Sequence, residues 1–459
     1  MISETSSSKP AATAIHALWT FPGVVFMSFV LAWAAESAQF LVSQGLALAI
    51  LAWLQTLPEF AVEAVIAWER NVPLITANFT GSLRLLVGLG WPLVYFTAAI
   101  AAGRNRRLLS ASKRSDDASQ TGIETKRRIG LKVRGSARGR SDDTSQIRAG
   151  GTVGSISSRA RGHRLSSSPR ASAEPRFFEA INLEKEHSIE VMGLIPPLAY
   201  FWLIYFKGTL NMIDSIFLVC MYLAYLMVIR KVPPQEPENI EDLERIPRKI
   251  LSLRSFRKHI VIALLFVGGG AGILLIARPF LHSMLALAVS MGVSQFVFVQ
   301  WVAPFLSEFP EKLSAFYWAK TVKRAPMGFM NIVSSNINQW TLLVAMIPIV
   351  YSASSGGYST VVFDQHQRTE ILLTMAQSIL GFVLLANMEF RVHEAVGLFL
   401  LWLVQFVMPG VREEITIVYF GWIAFEFAMA LLGQRKLAAF RDFKELWKEH
   451  SLGKGLLRR

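Results

Sequence analysis

Apolar residues run along this chain in long blocks, separated by short polar or charged stretches. Crossing about 30 Å of hydrocarbon takes roughly 20 helical residues. On that measure the pattern predicts eleven membrane spans, at roughly 15–35, 39–69, 73–102, 187–206, 211–230, 259–278, 281–320 (a span with its return into the next), 326–351, 369–388, 394–410 and 413–433. Two blocks depart from the rest. "LQTLPEFAVEA", from Leu54, carries Pro58 and Glu59; "LSEFPEKLSAF", from Leu306, carries Glu308, Pro310, Glu311 and Lys312. A bilayer-crossing helix avoids both charge and proline, so these two places need a physical reason.

Composition fixes the class. The 459 residues are 52% hydrophobic and 17% charged, against about 25% charged in soluble domains. The reading is an all-α polytopic membrane protein. The single cysteine, Cys220, cannot form an internal disulfide and reads as packing. No CxxC, HExxH or GxSxG pattern appears, so neither an enzyme nor a resident cofactor is expected.

The net charge of +14 is concentrated: residues 103–176 hold 18 Lys/Arg against 6 Asp/Glu, with almost no aromatic residues. In a soluble protein such a balance would suggest nucleic acid. Here no nucleic-acid partner is expected. The segment cannot bury enough apolar surface to fold, and reads as a disordered cytoplasmic loop able to touch anionic lipid. Placing it inside puts the N-terminus outside and the basic stretches 230–258, 320–324 and 434–459 inside, in an integral protein of the cell membrane. The expected organisation is 1–102 (three spans), 103–180 (basic loop), 181–231 (two spans), 232–258 (linker), 259–410 (five spans), 411–434 (an extra span) and 435–459 (basic tail).

The two unusual blocks belong to longer matching stretches. Val42-Ser43-Gln44 begins 17 residues before Glu59, and Val293-Ser294-Gln295 begins 18 before Glu311. Asn78 follows Glu59 by 19 residues, and Asn331 follows Glu311 by 20. The same motifs in the same order at nearly the same spacing mark an internal duplication. In the topology above the first Pro-Glu helix runs outward and the second inward, so the repeats are inverted: two five-helix halves plus one extra C-terminal span. Inverted repeats with interrupted midplane helices are a transporter architecture. Each proline removes a backbone donor and frees a carbonyl upstream, tolerable where the backbone lines a cavity. A freed carbonyl beside a carboxylate is a hard oxygen site for a cation.

These blocks resemble the two α-repeats of the calcium/cation antiporter superfamily, the sodium/calcium exchangers and their relatives. The resembling residues are Leu54-Gln55-Thr56-Leu57-Pro58-Glu59 with Ala77-Asn78-Phe79-Thr80-Gly81-Ser82-Leu83, and Leu306-Ser307-Glu308-Phe309-Pro310-Glu311 with Met330-Asn331-Ile332-Val333-Ser334-Ser335-Asn336. The resemblance implies that Glu59 and Glu311 are the paired carboxylates holding the cation as metal ligands. It implies that Thr56 and Ser307 offer hydroxyl or backbone oxygen, and that Asn78 and Asn331 complete the site. The sequence departs from the pattern at Leu54 and Leu306 (glycine in the family), Gln55, Glu308 and Leu83, the last standing where the second repeat keeps Asn336.

Further polar residues lie close by. Glu63, four residues after Glu59, and Glu308, three before Glu311, are candidates for a supporting or proton-carrying role, as are Gln55 and Asn336. Arg84 either snorkels to an interface or pairs with Glu63 or Glu308 as a fixed counter-charge in place of a bound sodium. His282, His366 and His393 show no ligand spacing and read as interfacial. An ionisable group at midplane costs roughly 2.5–3.5 kcal/mol on the insertion scale, so such groups mark function. Calcium takes six to eight oxygens, which two glutamates, carbonyls and amides can supply. The expected function is secondary-active cation antiport, calcium against sodium or protons, with small inorganic cations and membrane lipid as partners. The alternatives are proton- or sodium-coupled exchange of another cation, or a transport-inactive relative acting as a membrane interaction protein.

Overall fold

The computed structural model describes residues 13–38, 40, 56–108, 178–230, 243 and 245–451. Most of the expected basic loop, Val42-Ser43-Gln44, Leu54, Gln55 and the last eight residues lie outside the described residues, as does most of the expected linker up to residue 244. The chain forms two units, Met1–Ala101 with Glu179–Arg459, and Ala102–Phe178. Of the second unit, the described part is the helical stretch 102–108 and Phe178.

Among the described residues, eight helices are long and apolar enough to cross a membrane. They are α1 (Ala17–Ala38), α3 (Val72–Leu108), α4 (Lys185–Lys207), α5 (Met212–Ile229), α6 (Ser255–Ser290), α9 (Val322–Ser355), α10 (Gln365–Leu385) and α12 (Pro409–Leu431). Between them stand shorter helices: α2 (Leu57–Trp68), α7 (Gln295–Ser307), α8 (Phe309–Lys320) and α11 (Val392–Val407). A last helix, α13 (Ala438–Ser451), is amphipathic and too polar to cross.

One predicted boundary is corrected. Breaks were expected near 278–281 and inside 281–320. Instead α6 continues without a break through Pro279 to Ser290. It stops where Gly292 takes a left-handed backbone, φ 68°. There the Val293 N–H donates to the Ala288 carbonyl, closing the helix end. Glycine adopts that conformation without a Cβ penalty, whereas proline is compatible with a helix whose neighbours hold it. The second break falls at Glu308, where α7 ends and α8 begins with Phe309-Pro310.

The same devices recur in both halves. Asn71 caps α3, accepting from the Leu74 N–H at 3.3 Å, and Pro73 stands in its first turn. Pro326 stands in the first turn of the regular part of α9. Asn78 lies five residues beyond Pro73, and Asn331 five beyond Pro326. Each helix then carries a π-helical turn that starts eight residues past its asparagine, Leu86–Gly90 in α3 and Gln339–Leu343 in α9. A π-turn inserts an extra residue into the helix and marks places where side chains are re-aimed.

Two small antiparallel ribbons tie the helix ends together. β1 (Ala180–Asn182), just before α4, pairs with β4 (Glu389–Arg391), just before α11. β2 (Thr209–Leu210), between α4 and α5, pairs with β3 (Val361–Val362), just before α10. The two ribbons therefore cap opposite ends of α4, a membrane-spanning helix. Helices α3 and α9 form the centre: α3 packs on α7 and α10, and α9 on α5 and α8, while α1 packs along α6 at the periphery. The contact of α3 with α7 is close enough to require glycine. A Cβ on Gly81 would sit 1.9 Å from the Gln300 carbonyl oxygen.

Candidate cation site

The site is built where two helices begin. Thr56 precedes α2 with φ −86°, ψ −2°, and Glu308 precedes α8 with φ −94°, ψ 6°. Both lie in the sparsely populated bridge region often used at active sites. Pro58 and Pro310 occupy the first turns that follow, where a missing N–H costs nothing. Pro310 also leaves the Leu306 carbonyl without its usual i+4 donor. Glu59 and Glu311 fall in those same first turns. The positive end of each helix dipole therefore faces a carboxylate.

All six residues expected to hold a cation that lie in these motifs, Thr56, Glu59, Asn78, Ser307, Glu311 and Asn331, are buried. The Asn78 amide donates to Glu59 Oε1 at 2.5 Å and to Glu63 Oε2 at 2.7 Å. The Ser307 hydroxyl, from the other half, donates to Glu59 Oε2. The Asn338 amide of α9 donates to the Thr56 hydroxyl. Glu308 accepts from Ser82 of α3, from Lys312 one turn on, and from the Gln339 amide at 2.6 Å. Glu308 is also an electrostatic neighbour of both Glu59 and Glu311. The motifs of the two halves thus interlock through side-chain hydrogen bonds.

Several oxygens in this shell accept nothing. Glu63 Oε1, Asn78 Oδ1, Asn336 Oδ1, Asn338 Oδ1 and Gln339 Oε1 are buried without a hydrogen-bond partner. Glu311 lies next to the Ser335 hydroxyl, yet neither of its carboxylate oxygens closes a hydrogen bond of good geometry. Each unsatisfied buried polar atom costs about 1–3 kcal/mol. A concentration of unused acceptors is a reservoir for a ligand that brings positive charge. Among the described residues no three His, Cys, Asp or Glu side chains cluster at metal-binding distance. The donor set is carboxylate plus neutral oxygen, the chemistry of a hard cation and not of zinc.

Helical geometry decides which neighbours join. On α3, Ser82 lies four residues past Asn78 and shares its face, so it reaches Glu308. On α9, Ser335, Asn338 and Gln339 lie four, seven and eight residues past Asn331 and line one stripe. Sequence reasoning passed over Ser82, Asn338, Gln339 and Lys312. The i, i+4, i+7, i+8 spacing from each asparagine was the signal that could have found the first three.

The expected pairing of Arg84 with Glu63 or Glu308 is not formed. Arg84 is buried, but its Nη2 donates to Glu370 of α10 at 2.6 Å and its Nη1 to Gln405 of α11 at 3.1 Å. Its guanidinium lies 5.2 Å from the centre of the Trp301 ring. The other Glu370 oxygen meets Arg412 of α12 at 2.5 Å, and Gln300 donates to Glu370 at 2.9 Å. Six residues past Asn78 is roughly 9 Å along the helix and about 240° around it. Arg84 therefore points away from the carboxylates and into a separate buried ion cluster. Glu308 takes Lys312 as its cation instead. His282, His366 and His393 are exposed.

Comparison with known proteins follows the same lines. The family described as sodium/calcium exchanger protein matches residues 13–114 and 261–410, more than half of the chain. Among solved structures, an H+/Ca2+ exchanger, CAX, is 27% identical with a TM-score of 0.74, over 96% of this chain and 92% of its own. A sodium-calcium exchanger, NCX_Mj, is 14% identical with a TM-score of 0.48, over 86% of this chain and 99% of its own. No curated protein matches.

Proposed function

The chain belongs to the sodium/calcium exchanger family, and on that premise we propose that it exchanges calcium for protons at Glu59 and Glu311. The observation that carries this reading is the buried shell of unused oxygens around two carboxylates, each at the start of a broken helix. Two negative charges match one divalent ion or two protons. Both loads neutralise the same groups, and the empty charged site is too costly to carry across hydrocarbon. That equivalence enforces exchange. Calcium tolerates a flexible set of carboxylate, amide and carbonyl oxygens, whereas magnesium keeps its waters. Asn78, bridging Glu59 and Glu63, holds the first carboxylate in place. Ser307 and Asn338 bind the second half to the first, so that the two motifs move as one gate.

Protons are favoured over sodium as the counter-ion because carboxylates removed from water hold protons readily. The similarity to a proton-coupled exchanger over nearly the whole chain supports the same choice. The halves are read as inverted five-helix repeats around this site, with α12 as an addition. The basic stretch 103–180 is placed on the cytoplasmic side of the cell membrane, against anionic lipid, with the N-terminus outside. Helix α13 contacts the start of α4, where Lys185 pairs with Glu445 and Glu449 at 3.1 Å, which supports an internal C-terminus.

The test is calcium uptake into proteoliposomes driven by an outward proton gradient, with an outward sodium gradient as a parallel arm. Uptake under the proton gradient alone, lost in Glu59→Gln and in Glu311→Gln, is expected. Uptake under the sodium gradient alone would replace protons by sodium. No uptake under either would remove calcium exchange.

A further inference from the structure

The pair Glu308–Lys312 has no counterpart in the first half, where Thr56 and Phe60 hold the matching positions. Acid and base thus stand together in one repeat only. Both are buried, with side-chain exposures of 0% and 6%. An i, i+4 pair of this kind is commonplace on a wet helix surface. Inside a protein, taking two charges out of water is costly, and an apolar pair of similar volume serves stability at least as well. The position is also specific. Glu308 is the residue at which α7 gives way to α8, it neighbours both Glu59 and Glu311, and it accepts from Ser82 and Gln339.

We propose that Lys312 is a tethered cation: its ammonium occupies, on Glu308, the place that a further transported monovalent cation would otherwise take. The inference rests on reading Glu59 and Glu311 as the cation site. Four buried carboxylates stand in the two Pro-Glu stretches, Glu59, Glu63, Glu308 and Glu311, and Lys312 pairs with one of them, Glu308. Lys312 thus lowers by one the number of charges that must be loaded in each cycle. With the ammonium gone, Glu308 would keep the Ser82 hydroxyl beside it, and a flip of the Gln339 amide would bring its unpartnered Oε1 to the place of the nitrogen that now donates. That is an oxygen set suited to sodium. Lys312 is thus a specificity-determining residue, and it acts by excluding a second ion.

The experiment reads ion binding without requiring transport. The purified full chain in detergent is unfolded thermally in sodium chloride and in choline chloride at equal ionic strength. An ion that binds the folded state alone raises the midpoint in a saturable way. Wild type is expected to show no sodium-specific shift. Lys312→Met is expected to gain one, and Lys312→Met with Glu308→Gln to lose it again. Lys312→Gln serves as a second variant that keeps a donor to Glu308. Glu308→Gln alone leaves the ammonium unpaired beside the calcium carboxylates. The calcium concentration for half-maximal stabilisation should then rise about tenfold. Lys312 variants that fold and show no sodium-specific shift would overturn the proposal, as would a wild type with the same shift. Should neither Lys312 variant fold, an unchanged calcium midpoint in Glu308→Gln overturns it. Failure of wild-type calcium uptake in liposomes would remove the exchange reading and leave the sodium result to stand or fall by itself.

Discussion

Glu370 holds two arginines at once, and that sharing predicts an asymmetry between the ends of one ion pair. Removing Arg84 leaves the carboxylate with Arg412 and with the Gln300 amide. What is lost is the guanidinium's bonds to Glu370, Gln405 and the Thr80 carbonyl, and its packing on Trp301. Charged-group hydrogen bonds are worth about 1.5–3 kcal/mol each, and only part of this is lost because the partners are re-used. Arg84→Met should therefore destabilise by about 1–3 kcal/mol. Removing the acid is worse. Glu370→Gln leaves Arg84 at 1% exposure and Arg412 at 13% facing each other without an anion. Breaking a buried pair from one side costs about 3–5 kcal/mol. The double variant Arg84→Met with Glu370→Gln should recover part of that loss, since only the better-solvated Arg412 remains unpaired. The assay is denaturant unfolding in detergent, followed by tryptophan fluorescence, with calcium uptake measured on the folded fraction. The half-saturating calcium concentration should stay within threefold of wild type, because the cluster lies on the far side of α3 from Asn78. An Arg84→Met variant less stable than Glu370→Gln would refute the shared-carboxylate argument. A large change in calcium affinity would refute the separation of the cluster from the site.

Three further outcomes follow from particular contacts. Asn78→Leu removes the amide that bonds both Glu59 and Glu63. Calcium uptake should fall at least tenfold while the protein remains folded, and uptake within twofold of wild type would show that the amide is dispensable. Gly81→Ala forces a Cβ against the Gln300 carbonyl and should cost about 1–3 kcal/mol through overpacking. Gly268→Ala, which meets nothing within 4 Å in α6, should be neutral or slightly stabilising, read by the same unfolding assay. In a Cys220→Ser background, single cysteines at Asn182, Glu389 and Glu445 should react with an impermeant thiol reagent from one side of sealed membranes. Cysteines at Thr209 and Val362 should react from the other side, as the strand pairings require. Labelling of Asn182→Cys and Glu389→Cys from opposite sides would contradict that arrangement.

Some of this was settled by the chain alone. A run of apolar residues long enough to cross hydrocarbon has few alternatives to a helix, since every backbone group must find its partner within the segment. The all-α membrane architecture was therefore legible before any coordinates. So were the two Pro-Glu positions, because charge and proline in such a run are expensive and stand out against it. The matching intervals to Asn78 and Asn331 were legible for the same reason. What the sequence could not decide was which side chains face one another across tens of residues. It left Arg84 either at an interface or beside the extra acids, yet a rotation of about 240° around α3 carries it to Glu370 on another helix. It expected a break beside Pro279, but the backbone turned at Gly292, where a left-handed conformation is cheap. The partner of Glu308 was in plain sight at Lys312. Only the burial of both groups between the two halves distinguishes that pair from an ordinary surface contact, because the cost of dehydrating a charge depends on everything packed around it.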